Sequence, residues 1–150
     1  MQVYRITAPR HVSQALSGVG AANAGGRWNS RGTRLAYAAS SISLAMIEML
    51  VHVDRRSAPP DRRLLSFDIP DALFGSPMSV SADWNQLPYS PRARAAGDAW
   101  IKSMANLEVR VPSAAVKYEY NVLINPEHTD FNQITLVFNE PLLLDSRFFG

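Results

Sequence analysis

Extended segments outnumber helical segments in this sequence, and the two kinds do not alternate. Short apolar runs predict seven strands, at residues 2–7, 35–38, 63–69, 107–111, 118–124, 133–139 and 142–144. Helical patterns predict three helices, at residues 11–18, from Ser40 or Ser41 to about Asp54, and from Pro91 to about Ala105. Because a doubly wound parallel sheet requires regular alternation, we predict an α+β fold with a mixed, largely antiparallel sheet and flanking helices.

Small residues and prolines separate these elements. Residues 20–26 are all Gly, Ala or Asn and predict a flexible loop, and paired prolines within residues 55–61 are expected to end the preceding helix. Three prolines and a glycine predict an irregular segment without helix or strand over residues 70–90. No repeat, low-complexity tract or long linker divides the chain, so we expect one domain over residues 1–150.

The absence of cysteine excludes several kinds of chemistry. Disulfides, thiol nucleophiles and Cys-ligated metal sites are impossible, and the three histidines are too scattered along the chain to form a metal-ligand motif. The first residues lack the apolar core of a signal peptide, and the apolar stretch 42–53 is too short to cross a bilayer. We therefore expect a cytoplasmic protein without a metal site or membrane contact.

Charge is distributed unevenly along the chain. The first 63 residues carry nine arginines against three acidic residues, a net charge of +6, whereas the remainder carries −4. Such a basic half indicates an anionic partner, while an arginine-rich solvated surface explains it equally well. The sequence has no helix-turn-helix signature, zinc-finger spacing or basic run interleaved with aromatics, so direct nucleic-acid binding is not expected.

Two glycines directly before Arg27 form a candidate anion site. Glycine lets the backbone approach a ligand closely, and a guanidinium can donate two parallel hydrogen bonds to phosphate oxygens. The surrounding residues match neither the dinucleotide-binding glycine pattern nor the P-loop, which excludes those nucleotide folds. Taken alone, the motif more often represents a turn followed by a surface arginine.

Glu48 is a carboxylate within an otherwise apolar segment. On a helix it shares one face with Ser41, Ala45 and His52. Helical spacing alone favours a stripe that faces water, but bulky apolar residues flank this stripe closely enough for it to line a cleft. In a cleft, a carboxylate stabilises the positive charge that develops on ribose when an N-glycosidic bond breaks.

Tyr37 and Ser113 are the remaining polar candidates. The Tyr37 ring could stack on a flat heterocycle, although a tyrosine in a protein core is more common. Ser113 follows a proline at the end of a predicted strand, and no histidine near it in the sequence makes it a nucleophile. We therefore interpret Ser113 as a binding or orienting hydroxyl.

Taken together and in order, these segments resemble the motifs of the RES domain family. The segments are Gly25–Asn29, Leu35–Tyr37, Ser43–Glu48, Gly97–Trp100, Val111–Ser113 and Asn121–His128. The Arg, Glu and Ser that give this family its name fall on Arg27, Glu48 and Ser113. The resemblance extends from about Val3 to Asp145, nearly the whole chain.

The resemblance implies a fold similar to ADP-ribosyltransferase catalytic domains, with NAD bound in a cleft. Carried over by position, Arg27, Glu48 and Ser113 are the expected catalytic residues, with Arg27 holding the NAD phosphates and Ser113 orienting the ligand. Tyr37 is expected to pack on the nicotinamide side, and Trp28 is expected to contact NAD beside it. Whether Asn121, Asn125 and His128 are structural or functional stays open.

The resemblance also implies a toxin of a type II toxin–antitoxin system, paired with an Xre-type antitoxin. Its activity would be NAD degradation by hydrolysis or phosphorolysis, with ADP-ribosylation of a protein target as the alternative. The acceptor of ADP-ribose, whether water, phosphate or protein, is not identified by the sequence. A non-catalytic basic binding module is a further alternative, and it would leave NAD intact.

Overall fold

A six-stranded sheet forms the centre of the computed structural model, which describes residues 1–54, 56 and 59–149. The strands are β1 (Gln2–Thr7), β2 (Ala36–Ala39), β3 (Arg63–Asp68), β4 (Glu108–Pro112), β5 (Tyr120–Ile124) and β6 (Thr135–Pro141). All paired strands are antiparallel, in the order β4-β5-β2-β1-β3-β6. The predicted α+β class with a largely antiparallel sheet is confirmed.

Within the part of the chain that the structure describes, three α-helices flank the sheet: α1 (Val19–Ala24), α2 (Ile42–Leu50) and α3 (Pro91–Ser103). Serine side chains cap the two longer ones, because Ser41 accepts a hydrogen bond from the Leu44 N–H at 3.1 Å and Ser90 accepts one from the Ala93 N–H at 3.2 Å. In the described ranges, no helix has the length and apolar character needed to cross a membrane.

The buried side chains form three clusters around the sheet. The largest contains Val3, Leu65 and Ile124, and a second joins α3 to β4 and β5 through Trp28 and Ile101. The third is small and packs Leu44 and Ala45 of α2 against Ala39 of β2. It fixes α2 on the sheet and thereby sets the position of the polar residues on that helix.

Residues 20–26 are helical over most of their length, so the prediction of a flexible loop was wrong. Later residues hold helix α1 in place, since the Asn29 amide donates to the Ala21 carbonyl and the Gly32 N–H donates to the Ala22 carbonyl, both at 2.8 Å. These bonds satisfy carbonyls at the end of a short helix of small residues. The sequence of residues 20–26 alone could not reveal this helix, because the stabilising hydrogen bonds come from residues further along the chain.

Other predicted boundaries also need correction. Residues 142–144 are not a strand, because β6 ends at Pro141 and Leu143 is 87% exposed. The helix predicted at 11–18 is a 3-10 helix over Pro9–Gln14, and the helix predicted to reach Asp54 ends at Leu50. The predicted loop over 55–61 lies partly outside the described residues.

Strands β1 and β2 share a single registered pair, Tyr4 with Ala39, whereas β1 and β3 share six. The strands therefore separate beyond that pair, toward Arg5 on β1 and Tyr37 on β2. The Arg5 guanidinium bridges the gap by donating to the backbone carbonyl of Tyr37. This separation leaves room for a cleft at the centre of the sheet.

Candidate active site

A cleft of about 720 Å³ opens where β1 and β2 separate, and a smaller cavity of about 410 Å³ adjoins it. Five residues line both spaces: Arg5, Tyr37, Glu48, His52 and Asn121. Both volumes lie in the range of roughly 300–1,000 Å³ that small-molecule sites occupy. The candidate site is this shared wall together with the larger cleft.

Arg5 is a member of the site that the sequence analysis missed. Its Nε is buried and has no hydrogen-bond partner among the described residues, and burial lowers the pKa of the guanidinium. A buried cation without a carboxylate partner is costly, which is typical of a group that awaits an anionic ligand. The signal in the sequence was an arginine between Tyr4 and Ile6 inside a strand.

The loop Gly25–Asn29 is closed by hydrogen bonds to Tyr37. The Tyr37 hydroxyl donates to Asn29 Oδ1 at 2.7 Å and accepts from the Trp28 N–H at 3.2 Å. Only glycine fits at Gly26, because a Cβ there would lie 2.8 Å from the Tyr37 hydroxyl oxygen. Gly26 therefore allows close packing of the loop against Tyr37, while Gly25 adopts a positive φ of 70° that favours glycine.

Arg27 lines the larger cleft and is held by the segment that follows β3. Its Nη1 donates to the carbonyl oxygens of Trp84 at 2.9 Å and Gln86 at 3.3 Å, and its guanidinium lies 4.9 Å from the centre of the Tyr89 ring. These contacts fix the plane of the guanidinium and leave Nε and Nη2 without a partner among the described residues. Its contact with phosphate stays a prediction.

Trp28 is buried, with 3% of its surface exposed, and its ring stacks on Trp84 at a centroid distance of 6.0 Å. The ring is thus part of the core that supports the cleft wall. A direct contact between Trp28 and NAD stays a prediction.

Tyr37 lines both spaces, but its hydroxyl is committed to the protein. Burial raises the pKa of this hydroxyl, so it stays protonated and continues to donate to Asn29. The ring, and not the hydroxyl, is therefore the part of Tyr37 available to a ligand. That surface agrees with the stacking role, which stays a prediction.

Glu48 lies near the end of α2, and two side chains from distant segments donate to one of its oxygens. The Ser113 hydroxyl donates to Oε1 at 2.8 Å, and the Asn121 amide donates to the same oxygen at 2.6 Å. Within the described residues, Oε2 accepts no hydrogen bond. One carboxylate oxygen is therefore held by the protein and the other is available to the cleft.

The polar stripe predicted on α2 is present in part. Ala45, Glu48 and His52 line the smaller cavity together, while the hydroxyl of Ser41 caps the helix. His52 lies beyond the last helical residue, in a turn closed by its own N–H and the Met49 carbonyl at 3.1 Å. Of the two alternatives for this stripe, the structure favours the cleft for these three residues.

Ser113 is 5% exposed and does not line either space. Its oxygen accepts the N–H groups of Ala115 and Val116, each at 3.1 Å, while its proton goes to Glu48. Its hydrogen-bonding capacity is filled. Ser113 thus reaches the site through Glu48, and a direct contact with the ligand stays a prediction.

Asn125 and His128 lie away from both spaces. Asn125 is fully buried, donates to the Ile101 carbonyl at 3.3 Å and accepts from the Glu127 N–H at 3.0 Å, while His128 Nδ1 accepts the Asp130 N–H at 3.1 Å. Both side chains therefore stabilise the turn after β5. Across the described residues, no group of three or more His, Asp or Glu side chains is placed to bind a metal ion.

Comparisons with known proteins agree with the motif series. The profile described as "RES domain" matches residues 2–145. "Toxin Res" of Yersinia enterocolitica is 36% identical over 144 residues, which cover 95% of this chain and 94% of that protein. The "Prs ADP-ribosylating toxin" of Sphingobium sp. is 38% identical over 120 residues, which cover 77% of this chain and 74% of that protein.

A solved structure shares the fold. A chain in the crystal structure of the M. tuberculosis MbcT–MbcA toxin–antitoxin complex superposes with a TM-score of 0.72 at 20% identity, over 94% of this chain and 83% of that chain. The family profile and the relatives above 30% identity each cover most of the sequence. The chain therefore belongs to the RES domain family.

Proposed function

We propose that this protein is the toxin of a toxin–antitoxin pair and that it cleaves the bond between nicotinamide and ribose in NAD. The observation that carries the proposal is the convergence of Arg5, Arg27, Tyr37 and Glu48 on one cleft. The two cations suit the diphosphate of a dinucleotide, the aromatic ring suits the heterocycle, and the carboxylate suits the reacting ribose.

Binding begins with charge. Among the described residues, Arg5 and Arg27 give the larger cleft two guanidinium groups against the single carboxylate of Glu48. The fixed planes of these guanidinium groups suit the paired oxygens of a diphosphate, and burial of Arg5 strengthens its attraction for an anion. NAD, whose only anionic groups are its two phosphates, fits this distribution.

Bond breaking then depends on Glu48. As nicotinamide leaves with the electrons of the glycosidic bond, positive charge develops on the ribose, and the available oxygen Oε2 stabilises that charge or accepts a ribose hydroxyl. An acceptor then bonds to the ribose carbon. If it is water, its proton goes to solvent and the products are nicotinamide and ADP-ribose, while phosphate in its place gives a phosphorylated ADP-ribose.

ADP-ribosylation of a protein is the second candidate, and one comparison favours it. The Sphingobium relative, whose name states that it ADP-ribosylates Prs, is 38% identical to this chain. The same cleft serves both activities, because the reactions share the bond-breaking step and differ only in the acceptor. The partner that we propose is an antitoxin of the Xre type, in line with the neighbour solved as a toxin–antitoxin complex.

The test is expression in a bacterial host with growth and cellular NAD followed together. We expect the wild type to arrest growth as NAD falls, and we expect Glu48→Gln to leave both unchanged. Glu140→Gln, the same change on the exposed strand β6, serves as the matched control and keeps full toxicity. Arrest with a constant NAD pool would favour protein modification, and toxicity retained in folded Glu48→Gln would overturn the proposal.

A further inference from the structure

Asn121 lines the cleft and opens the last segment of the motif series, where its role was left open. It is the second residue of β5 and pairs with Ala39 of β2 on one side and with Val111 of β4 on the other. The backbone position is therefore fixed from both neighbouring strands. The half-buried side chain lines both the larger cleft and the smaller cavity.

The Asn121 side chain makes one hydrogen bond within the described residues, and its acceptor is Glu48 Oε1 at 2.6 Å. Other asparagines of this chain bind differently. Asn125 is fully buried and bonds to backbone groups and to the Met104 sulfur, and Asn139 on β6 accepts from the Arg63 guanidinium at 2.7 Å. The contact of Asn121 is thus with the reacting carboxylate and not with the framework.

Asn121 and Ser113 together leave Glu48 one orientation. Because the Ser113 oxygen already accepts two backbone N–H groups, its proton has only Glu48 Oε1 to reach, at 2.8 Å. The amide of Asn121, which lies on the neighbouring strand β5, donates a second hydrogen bond to the same Glu48 oxygen. A glutamate near a helix end otherwise samples several rotamers, and two charge-assisted bonds remove that freedom before the ligand arrives.

We infer that Asn121 is a positioning residue, which holds Glu48 so that Oε2 alone faces the ligand. The inference rests on the proposed function, since it is Glu48 that acts on the glycosidic bond. A carboxylate that needs no reorientation during the reaction stabilises developing charge more strongly than a mobile one. Loss of Asn121 therefore lowers the rate of the chemical step and leaves ligand binding nearly intact.

The experiment begins with the kinetics of purified wild type and two variants, Asn121→Ala and the isosteric Asn121→Asp. We expect kcat for NAD cleavage to fall by about 10- to 100-fold in Asn121→Ala. The Asp variant should lose at least as much, because it replaces the donor with a second carboxylate beside Glu48. KM and the Kd for ADP-ribose should change by less than about threefold. Asn139→Ala is the matched control and keeps full activity.

A double-mutant cycle with Glu48→Asp separates positioning from a general structural role. Asp is one methylene shorter, so its carboxylate is drawn away from the Asn121 amide while the charge is kept. Asn121→Ala should then cost almost nothing further in kcat. An equal loss in both backgrounds, a melting temperature that falls in parallel with kcat, or a weakened Kd for ADP-ribose would each overturn the inference.

Failure of the proposed function is recognised separately, because wild type would then release no nicotinamide. In that event, crystal structures of wild type and Asn121→Ala decide the inference without any activity. We expect one Glu48 conformer bonded to Ser113 and Asn121 in the wild type, and several conformers in the variant. A Glu48 carboxylate that is unmoved and equally ordered in Asn121→Ala would contradict a positioning role.

Discussion

Gly97 of α3 lies directly against the backbone of Trp28, so closely that a Cβ at position 97 would lie 1.7 Å from the Trp28 carbonyl oxygen. On the same helix, the carboxylate of the next residue, Asp98, accepts the Ser30 N–H at 2.9 Å, and Arg94, about one turn earlier, donates to the Gly26 carbonyl at 3.2 Å. Helix α3 thus supports the whole loop that carries Arg27.

Gly97→Ala should destabilise the protein by roughly 3 kcal/mol or more, because α3 and the loop must separate to admit the methyl group. Thermal unfolding measures the effect. Gly20→Ala is the control, since a Cβ there meets nothing within 4 Å and the helical position favours alanine. Equal melting temperatures for the two variants would show that the contact is not as close as described.

Arg5→Gln should weaken the binding of ADP-ribose by about 10- to 100-fold, because it removes the buried cation that spans both spaces. Calorimetric titration measures the affinity directly. Arg34→Gln is a matched control, since Arg34 also donates to a backbone carbonyl, that of Ser17 at 2.9 Å, but lies outside both spaces. Undiminished affinity in folded Arg5→Gln would exclude Arg5 from the site.

Ser113→Ala should reduce kcat by about tenfold or more while leaving the affinity for ADP-ribose unchanged. The reason is that the hydroxyl donates to Glu48, while Ser113 lines neither space. Steady-state kinetics and titration together make the distinction. A rise in Kd with kcat preserved would instead favour the direct ligand contact that the sequence analysis expected.

Glu108 predicts a pH-dependent contribution to stability. The residue is fully buried, its Oε1 accepts the Gly75 N–H at 2.6 Å, and burial raises the pKa of its carboxyl from 4.5 to about 7. The native state therefore keeps a proton between these two pH values that the unfolded chain releases, so the contribution of Glu108 falls as pH rises through that window.

Glu108→Gln should remove this loss of stability. Relative to wild type, the free energy of unfolding of the variant should therefore rise by about 1–3 kcal/mol between pH 4.5 and 7. Urea unfolding at several pH values measures the difference. Glu140→Gln, an exposed change of the same kind, should follow wild type throughout. Parallel curves for wild type and Glu108→Gln would mean that Glu108 ionises normally when folded.

Local patterns predicted most of the elements, because they depend on features that neighbouring residues share. The short apolar run at residues 2–7 indicated β1, a serine cap at Ser40 or Ser41 indicated the start of α2, and Pro91 indicated the start of α3. Helix α1 was missed because its support comes from Asn29 and residues beyond it. The order of strands was not predicted, since pairing between distant segments has no local signature.

The residues of the site divide in the same way, into those with a local sequence signature and those whose role depends on distant segments. Arg27, Tyr37 and Glu48 were found from residue type and motif order, and they do share a cleft. Arg5 and Asn121 were not assigned a role in it, because their significance arises only when β1 separates from β2 and β5 pairs beside β2. The supporting roles of Ser113 and Trp28 were not predicted either, because they depend on the burial of these two side chains in the wall of the cleft.

The most direct test of the account is the incubation of purified protein with NAD, with the products separated by chromatography and identified by mass. We expect the release of nicotinamide in amounts that match the NAD consumed, and no release by Glu48→Gln. The mass of the ADP-ribose product identifies the acceptor. Intact NAD after prolonged incubation with folded wild-type protein, with no partner bound, would contradict the central claim.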